Sequence, residues 1–356
     1  MVLAFVTSRL LIICLIVLSR MVVIGGEFSH GGGWMSVLTQ GEGEAHVHIA
    51  QHGYALRDQQ FSVGLFPVYH WLVWFVALVL RDYGIAAVAT ANAALLGAGL
   101  LMNALINLDH RDPRLNKAAA AFLMFSPTSF FFTSAYPEST LLMFSLAAVL
   151  AARKQNWLVA CLCGLGAAGS RNVGVAILVP LLMEYLRPLW ADRKNARALL
   201  HPRVLLFLLV PLGTLYHLWE GYWRLADPWL YWHAKLVWGG RVLPPRRALL
   251  LLKALPPFYL WFSSVALVSA VLLLISGAFQ KIRRSYLAYA AVLIAFAFCT
   301  NTPEALPRFL GVIFPLCLIL AALTARARFL YEPLVVAFIV ALSFCTILAA
   351  SGYWMV

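Results

Sequence analysis

Two carboxylates and three imidazoles crowd into one short stretch, Glu42-Gly43-Glu44-Ala45-His46-Val47-His48-Ile49-Ala50-Gln51-His52, which follows a long apolar run. If the stretch is helical, the i, i+4 spacing puts Glu44, His48 and His52 on one face and Glu42 with His46 on another. A carboxylate or imidazole held there can take or give a proton at a reacting hydroxyl. Carboxylate and imidazole are also usable ligands, so a divalent metal at this first outer loop is a second expectation. The plainer reading is a solvated polar helix at the membrane surface. Elsewhere the chain carries isolated arginines beside apolar runs, Arg171 and Arg308 above all. A guanidinium in such a place suits phosphate, which it binds through two parallel hydrogen bonds.

The elements that must position these groups are set by composition. Apolar residues fill 63% of the 356 positions and charged ones only 12%, a balance that excludes a water-soluble domain. A crossing helix needs about 20 mostly apolar residues, and the chain offers roughly ten such runs. None shows the short alternation of an outer-membrane barrel, so the expected class is an all-α polytopic membrane protein. The first run, Leu3 to Ile24, contains Arg9 and Arg20 and has no small-residue cleavage site behind it, which reads as a retained helix. Cys14, Cys161, Cys163, Cys299, Cys317 and Cys345 lie within or at the ends of apolar runs, and neither a disulfide framework nor a zinc site is expected. The net charge of +13 belongs to the bilayer question, and no nucleic-acid partner is expected.

Basic clusters fall in short connections: Arg111, Arg114 and Lys117; Arg153 and Lys154; Arg187 to Arg203; Lys281, Arg283 and Arg284; Arg326 and Arg328. The positive-inside rule makes these cytoplasmic, together with the N-terminus. Crossings then fall at about 84–107, 118–135, 138–152, 155–170, 172–186, 204–223, 258–277, 286–300, 309–324 and 334–353, which with the first helix gives eleven. The run 63–80 is apolar enough to cross, but a crossing there would invert every later loop. Phe66, Pro67, Tyr69, His70, Trp71 and Trp74 suit an interfacial or re-entrant helix instead. The chain reads as one membrane domain over 1–356, with a first outer loop at 25–83 and another at 224–257. On this reading the outer face also receives Arg171, Arg224, Lys235, Arg241, Arg246, Arg247, Lys253 and Arg308, against the usual charge bias. Charges of that kind are costly near the membrane and invite a functional explanation. Lipid-headgroup snorkelling accounts for Arg246, Arg247 and Lys253.

Five segments in order resemble the bacterial relatives of the GPI second-mannose transferase (PIG-V-like) family within the GT-C superfamily. Ile49-Ala50-Gln51-His52-Gly53-Tyr54, followed by Leu65-Phe66-Pro67-Val68-Tyr69, is similar to its IAxxGY and FFPLYP stretch. Phe125 to Ser139, FSPTSFFFTSAYPES, resembles SPASxFFSxxYTES and is the most specific match. Ser170-Arg171-Asn172-Val173-Gly174 resembles the arginine-asparagine-glycine turn, with Val173 inserted. Asp227-Pro228 with Trp238-Gly239 is similar to GDPxAFxxAQxxWG, although Ala226 and Lys235 depart from it. Leu306-Pro307-Arg308-Phe309 with Phe314-Pro315-Leu316 resembles LPRYxxxxFPL.

The resemblance implies a GT-C-like bundle and an inverting glycosyltransferase, with mannose the sugar the family suggests. Its partners would be a polyprenyl-phosphate-linked donor, an acceptor glycan, lipid or protein, and membrane lipids. Catalysis would lie on the outer face of a bacterial inner membrane. Aligning on IAxxGY sets Gly41-Glu42 where the family shows a Trp-Asp pair, so the tryptophan is absent and glutamate stands for aspartate. Glu42 is then the expected base, Glu44 its rival, and His46 or His48 a tuning partner. Arg171, Arg241 and Arg308 would hold phosphate. Tyr69, Tyr136, Glu138 and Asn172 would position the sugar, and Asp227 and Trp238 would line the mouth. Glu138 also suits a plain helix start, favoured by the helix dipole. A catalytically degenerate membrane partner and a lipid-linked-sugar transporter or flippase are the alternatives.

Overall fold

Helix is the natural answer to this composition, because in lipid every backbone polar group must be satisfied within its own segment. The computed structural model describes residues 1–22, 33–54, 64–109, 112–191, 202–225, 242–280 and 282–353. The described residues form helices and turns, with one isolated antiparallel bridge between Val242 and Thr300.

The chain opens with α1 (Val2–Val22), then two short helices, α2 (Trp34–Thr39) and α3 (Glu42–His52), and the aromatic α4 (Pro67–Leu80). A long helix, α5 (Tyr83–Asp109), leads to α6 (Pro113–Met124), α7 (Ser129–Thr133), α8 (Glu138–Arg153) and α9 (Trp157–Ala168). A 3₁₀ turn at Asn172–Ile177 starts α10 (Leu178–Ala191), and another at Pro202–Leu208 starts α11 (Leu209–Leu225). After α12 (Pro245–Lys253) come α13 (Pro257–Phe279), α14 (Arg284–Phe298), α15 (Leu306–Gly311), α16 (Phe314–Arg326) and α17 (Tyr331–Ala350). Local chemistry sets several of these starts. Pro113 occupies the first turn of α6 while the Asp112 carboxylate accepts from the Arg114 N–H at 2.9 Å, and Asn156 caps α9 by accepting from the Val159 N–H.

Five described helices are long and apolar enough to cross a membrane: Val2–Val22, Tyr83–Asp109, Pro202–Glu220, Pro257–Phe279 and Arg328–Ala350. A bent pair, Pro303–Gly311 with Phe314–Arg326, makes a sixth if taken as one span. Their outward faces are apolar: Trp261, Val265, Val268, Leu272, Ile275 and Phe279 run down one exposed stripe of α13 at the spacing of a helix face. This is an integral membrane protein of all-α class. At 14 residues α4 is one of the shorter apolar helices, and it exposes Trp71, Trp74, Phe75 and Val79 while burying Tyr69, His70 and Val73.

Two expected straight crossings are broken. The run 118–135 stops at Met124 and restarts at Ser129, because Pro127 cannot carry the helix forward. The run 309–324 bends by 65° between α15 and α16, with Pro315 in the first turn of α16. The breaks pack on each other, since a Cβ at Gly311 would collide with the Thr128 hydroxyl. Arg9 of α1 reaches into the first break and donates to the Met124 and Ser129 carbonyls and to the Ser129 and Thr133 hydroxyls. Carbonyls freed by a break in lipid need such a donor.

Candidate functional site

The interruptions build the site. Gly41 takes φ 66°, a conformation that costs glycine little, and this turn lets α3 begin at once with Glu42. The segment before it is strapped to the turn that precedes α8. The Ala135 N–H donates to the Leu38 carbonyl at 2.7 Å, and the Tyr136 hydroxyl donates to the Gln40 carbonyl at 3.1 Å. The Gln40 amide in turn donates to the Ala349 carbonyl of α17 at 2.9 Å. Pro137 then ends the turn, and Glu138 is the first residue of α8. Glu42 and Glu138 therefore both stand in the opening turn of a helix, where the exposed N–H groups favour negative charge.

Two arginines meet them. Arg171 precedes the 3₁₀ turn after α9, and Arg308 lies in α15. Arg308 donates to Glu42 Oε2 at 2.6 Å and through Nε to Glu138 Oε1, the same oxygen that accepts from Arg171. Glu138 is 0% exposed and Arg308 2%, whereas the Glu42 side chain keeps 23%. The second Glu138 oxygen is buried without a partner. Aromatic faces cover the cations: the Arg308 guanidinium lies 4.5 Å from the Tyr136 ring centroid and 5.1 Å from Phe131, and Arg171 lies 5.2 Å from Phe309. A small cleft is lined by Phe131, Tyr259, Phe262, Glu304, Pro307 and Arg308.

Behind the ion cluster sits a chain of rings. His46 Nδ1 and His70 Nε2 are 2.7 Å apart, Tyr54 Oη lies 3.4 Å from His70 Nδ1, and the Tyr54 hydroxyl donates to the Leu65 carbonyl at 2.6 Å. His46 is 1% exposed and its Nε2 has no partner. Tyr69 meets the His46 ring edge-on at 5.3 Å and donates its hydroxyl to the Ala87 carbonyl. Burial alone would raise the Glu42 carboxyl, but the charge and hydrogen bond of Arg308, with Arg171 behind, hold it down at about 2. Burial pushes His46 down to about 4, against the pull of Glu42 and Glu138. Burial also raises Tyr136.

Comparison with protein-family models, curated proteins and solved structures found no match.

Of the residues singled out in the sequence, Glu42, His46, Tyr69, Tyr136, Glu138, Arg171 and Arg308 converge. Glu44 and His48 do not: they lie on the outward face of α3 and are exposed, with the His48 and His52 rings 4.8 Å apart and tilted by 45°. Asn172 uses its side chain on the neighbouring Val173 N–H at 2.9 Å, so it shapes the turn that presents Arg171. Asp227, Trp238 and Arg241 lie outside the described residues. Among the described residues no three His, Cys, Asp or Glu side chains form a group able to hold a metal ion. Glu138 starts its helix as a plain dipole reading requires, but its carboxylate is taken up by the two arginines. The sequence reading missed His70, which was counted with the aromatic content of 63–80. Its signal was a lone imidazole on the face of α4 shared with Tyr69 and Val73.

Proposed function

We propose that the protein is a membrane glycosyltransferase that moves a sugar, mannose by family resemblance, from a polyprenyl-phosphate donor to an acceptor hydroxyl. One observation carries this reading: two carboxylates, two guanidinium groups and a base-bearing imidazole converge where an apolar cleft reaches Arg308. In this reading a lipid tail lies along the Phe131, Phe262 and Tyr259 wall while the phosphate exchanges with carboxylate at Arg171 and Arg308. A phosphate leaves readily when cations hold the departing charge, so the chemistry asks for a base at the attacking hydroxyl and little acid help. The inward face of α3 offers two bases, Glu42 and His46. Attack in one step inverts the anomeric carbon.

The bundle would be GT-C-like with eleven crossings, several of them made from the short or broken helices, and α4 would stay on the outer side. Support comes from the ends of α8. Glu138 begins it and Arg153 ends it, about 22 Å away at 1.5 Å per residue. At that far end Arg153 binds Asp109 and Tyr286, and Arg283 binds Glu184. The positive-inside rule makes the Arg153 end cytoplasmic and gives the Glu138 site to the outer face of a bacterial inner membrane.

The test is sugar transfer by the purified chain in nanodiscs, with a radiolabelled polyprenyl-phosphate mannose and cell-envelope lipid or glycan as acceptor. Arg308→Lys keeps charge but loses the bidentate fork, and should lower turnover at least tenfold. Tight donor binding with no product in the wild type would point to a transporter or flippase. Neither binding nor turnover would favour a non-catalytic membrane partner.

A further inference from the structure

The ring chain behind the ion cluster has a direction, and the direction follows from counting protons. The Tyr54 hydroxyl has one hydrogen, and at 2.6 Å the Leu65 carbonyl takes it. The 2.6 Å Leu65 carbonyl is the better-placed acceptor for that hydrogen than His70 at 3.4 Å, and the tautomer that then puts a hydrogen into the longer contact has His70 protonated on Nδ1, with Nε2 left as a lone pair. In that tautomer the lone pair, 2.7 Å from His46 Nδ1, accepts the His46 proton from Nδ1. What remains is His46 Nε2: a bare acceptor, buried, with no partner among the described residues. A buried acceptor without a partner is costly and calls for a donor from a ligand.

We infer that His46 Nε2 is the general base that takes the proton of the acceptor hydroxyl, that His70 and Tyr54 fix its tautomer and orientation, and that Glu42 serves Arg308. This rests on the sugar-transfer reading and names the base within it. Glu42 is the weaker candidate because Arg308 holds its Oε2 in an ion pair at 2.6 Å, and that neighbouring cation favours the ionised carboxylate and so lowers its proton affinity. A tautomer fixed from behind by a hydrogen-bonded partner is a recurrent way to orient a catalytic imidazole. In the step the acceptor oxygen bonds the anomeric carbon, and the bond from that carbon to the phosphate oxygen breaks. The acceptor proton moves to His46 Nε2. The polyprenyl phosphate leaves with the bond's electron pair, and the imidazolium later returns its proton to that phosphate or to water.

The groups facing His46 are Glu42 on its own helix, Tyr69 and His70 on α4, Tyr136 and Glu138 at the start of α8, and Arg171 and Arg308; His217 faces His70 in turn. The carboxylates stabilise the imidazolium as it forms, and the arginines oppose it.

The experiment has two readouts. The ¹⁵N spectrum of histidine-labelled protein in nanodiscs should show His46 protonated on Nδ1 and bare on Nε2, with the signal assigned by its loss in His46→Gln. Tyr54→Phe should weaken that preference. In the transfer assay, His46→Gln should lose at least 100-fold in kcat with KM nearly kept, and imidazole should partly restore His46→Ala. Wild-type kcat/KM should fall as pH drops through about 4, where the imidazole becomes charged and cannot accept. Glu42→Gln should keep this limb, moved to lower pH by loss of a neighbouring anion. A proton found on His46 Nε2, or His46→Gln within threefold of wild type with its acid limb intact, overturns the inference. Wild-type protein without transfer sinks the sugar-transfer reading instead, and leaves the tautomer result standing on its own.

Discussion

Glu138 holds two guanidinium groups with one oxygen in a place water does not reach. Removing its charge leaves Arg171 and Arg308 with too few anions, and breaking a buried pair from one side is worth roughly 3 to 5 kcal/mol. Glu138→Gln should therefore destabilise by about 3 kcal/mol, read as a fall in melting temperature in detergent. Glu42→Gln should cost clearly less because its side chain still meets solvent, and Glu44→Gln, on the exposed face of α3, should leave the melt unchanged. A flat response across all three would mean that the ion cluster does not hold these helices together. The two faces of α3 were legible in the sequence, since i, i+4 spacing alone separates Glu42 and His46 from Glu44, His48 and His52. What spacing cannot reveal is that Glu42 would meet Arg308 across 266 positions, or that His46 would find His70. Those meetings depend on how distant elements stack.

At the scale of elements, the interruptions do the positioning. Arg171 is aimed by a 3₁₀ turn that lies flat on the end of α9, and it can lie there because Gly174 lacks a side chain: an added Cβ would run into the Ala167 backbone carbonyl. Backbone cannot give way as a flexible side chain does. Gly174→Ala should thus cost about 1 to 3 kcal/mol, the usual toll of overpacking. It should also reduce transfer more than a surface mutant of equal stability, because the displaced turn carries Arg171 with it. Thermal melts and transfer rates measured on the same samples would check both parts. The turn itself was readable as a motif from Arg171 to Gly174, and so was α4 as an apolar helix rich in aromatic residues. The breaks after Met124 and Gly311 were read through, although Pro127 and Pro315 mark them, because mean hydropathy across both runs is high and a count of apolar residues does not register a missing N–H. Arg9 hides the first break further by supplying its carbonyls from another helix.

At the scale of the whole molecule, the ion pairs among the described residues fall into two groups, one toward each end of α8. One end gathers Glu42, Glu138, Arg171 and Arg308, and the other gathers Asp109, Arg153, Glu184 and Arg283, with α8 running between them. An active site for a lipid-phosphate donor on the outer face requires the first end to be outside, and the bias of basic residues toward the second end agrees with that. Cysteines placed at Gln51 on the exposed side of α3 and at Lys154 just beyond α8, in a background with the six native cysteines replaced, separate the two ends. Both positions are exposed, so access to either depends on which side of the membrane it faces. A membrane-impermeant maleimide added to intact spheroplasts should label Gln51→Cys at once and Lys154→Cys only after the membrane is opened. Labelling in the reverse order would put the ion cluster on the cytoplasmic side and overturn the outer-face reading, and labelling of both from one side would mean that α8 does not span.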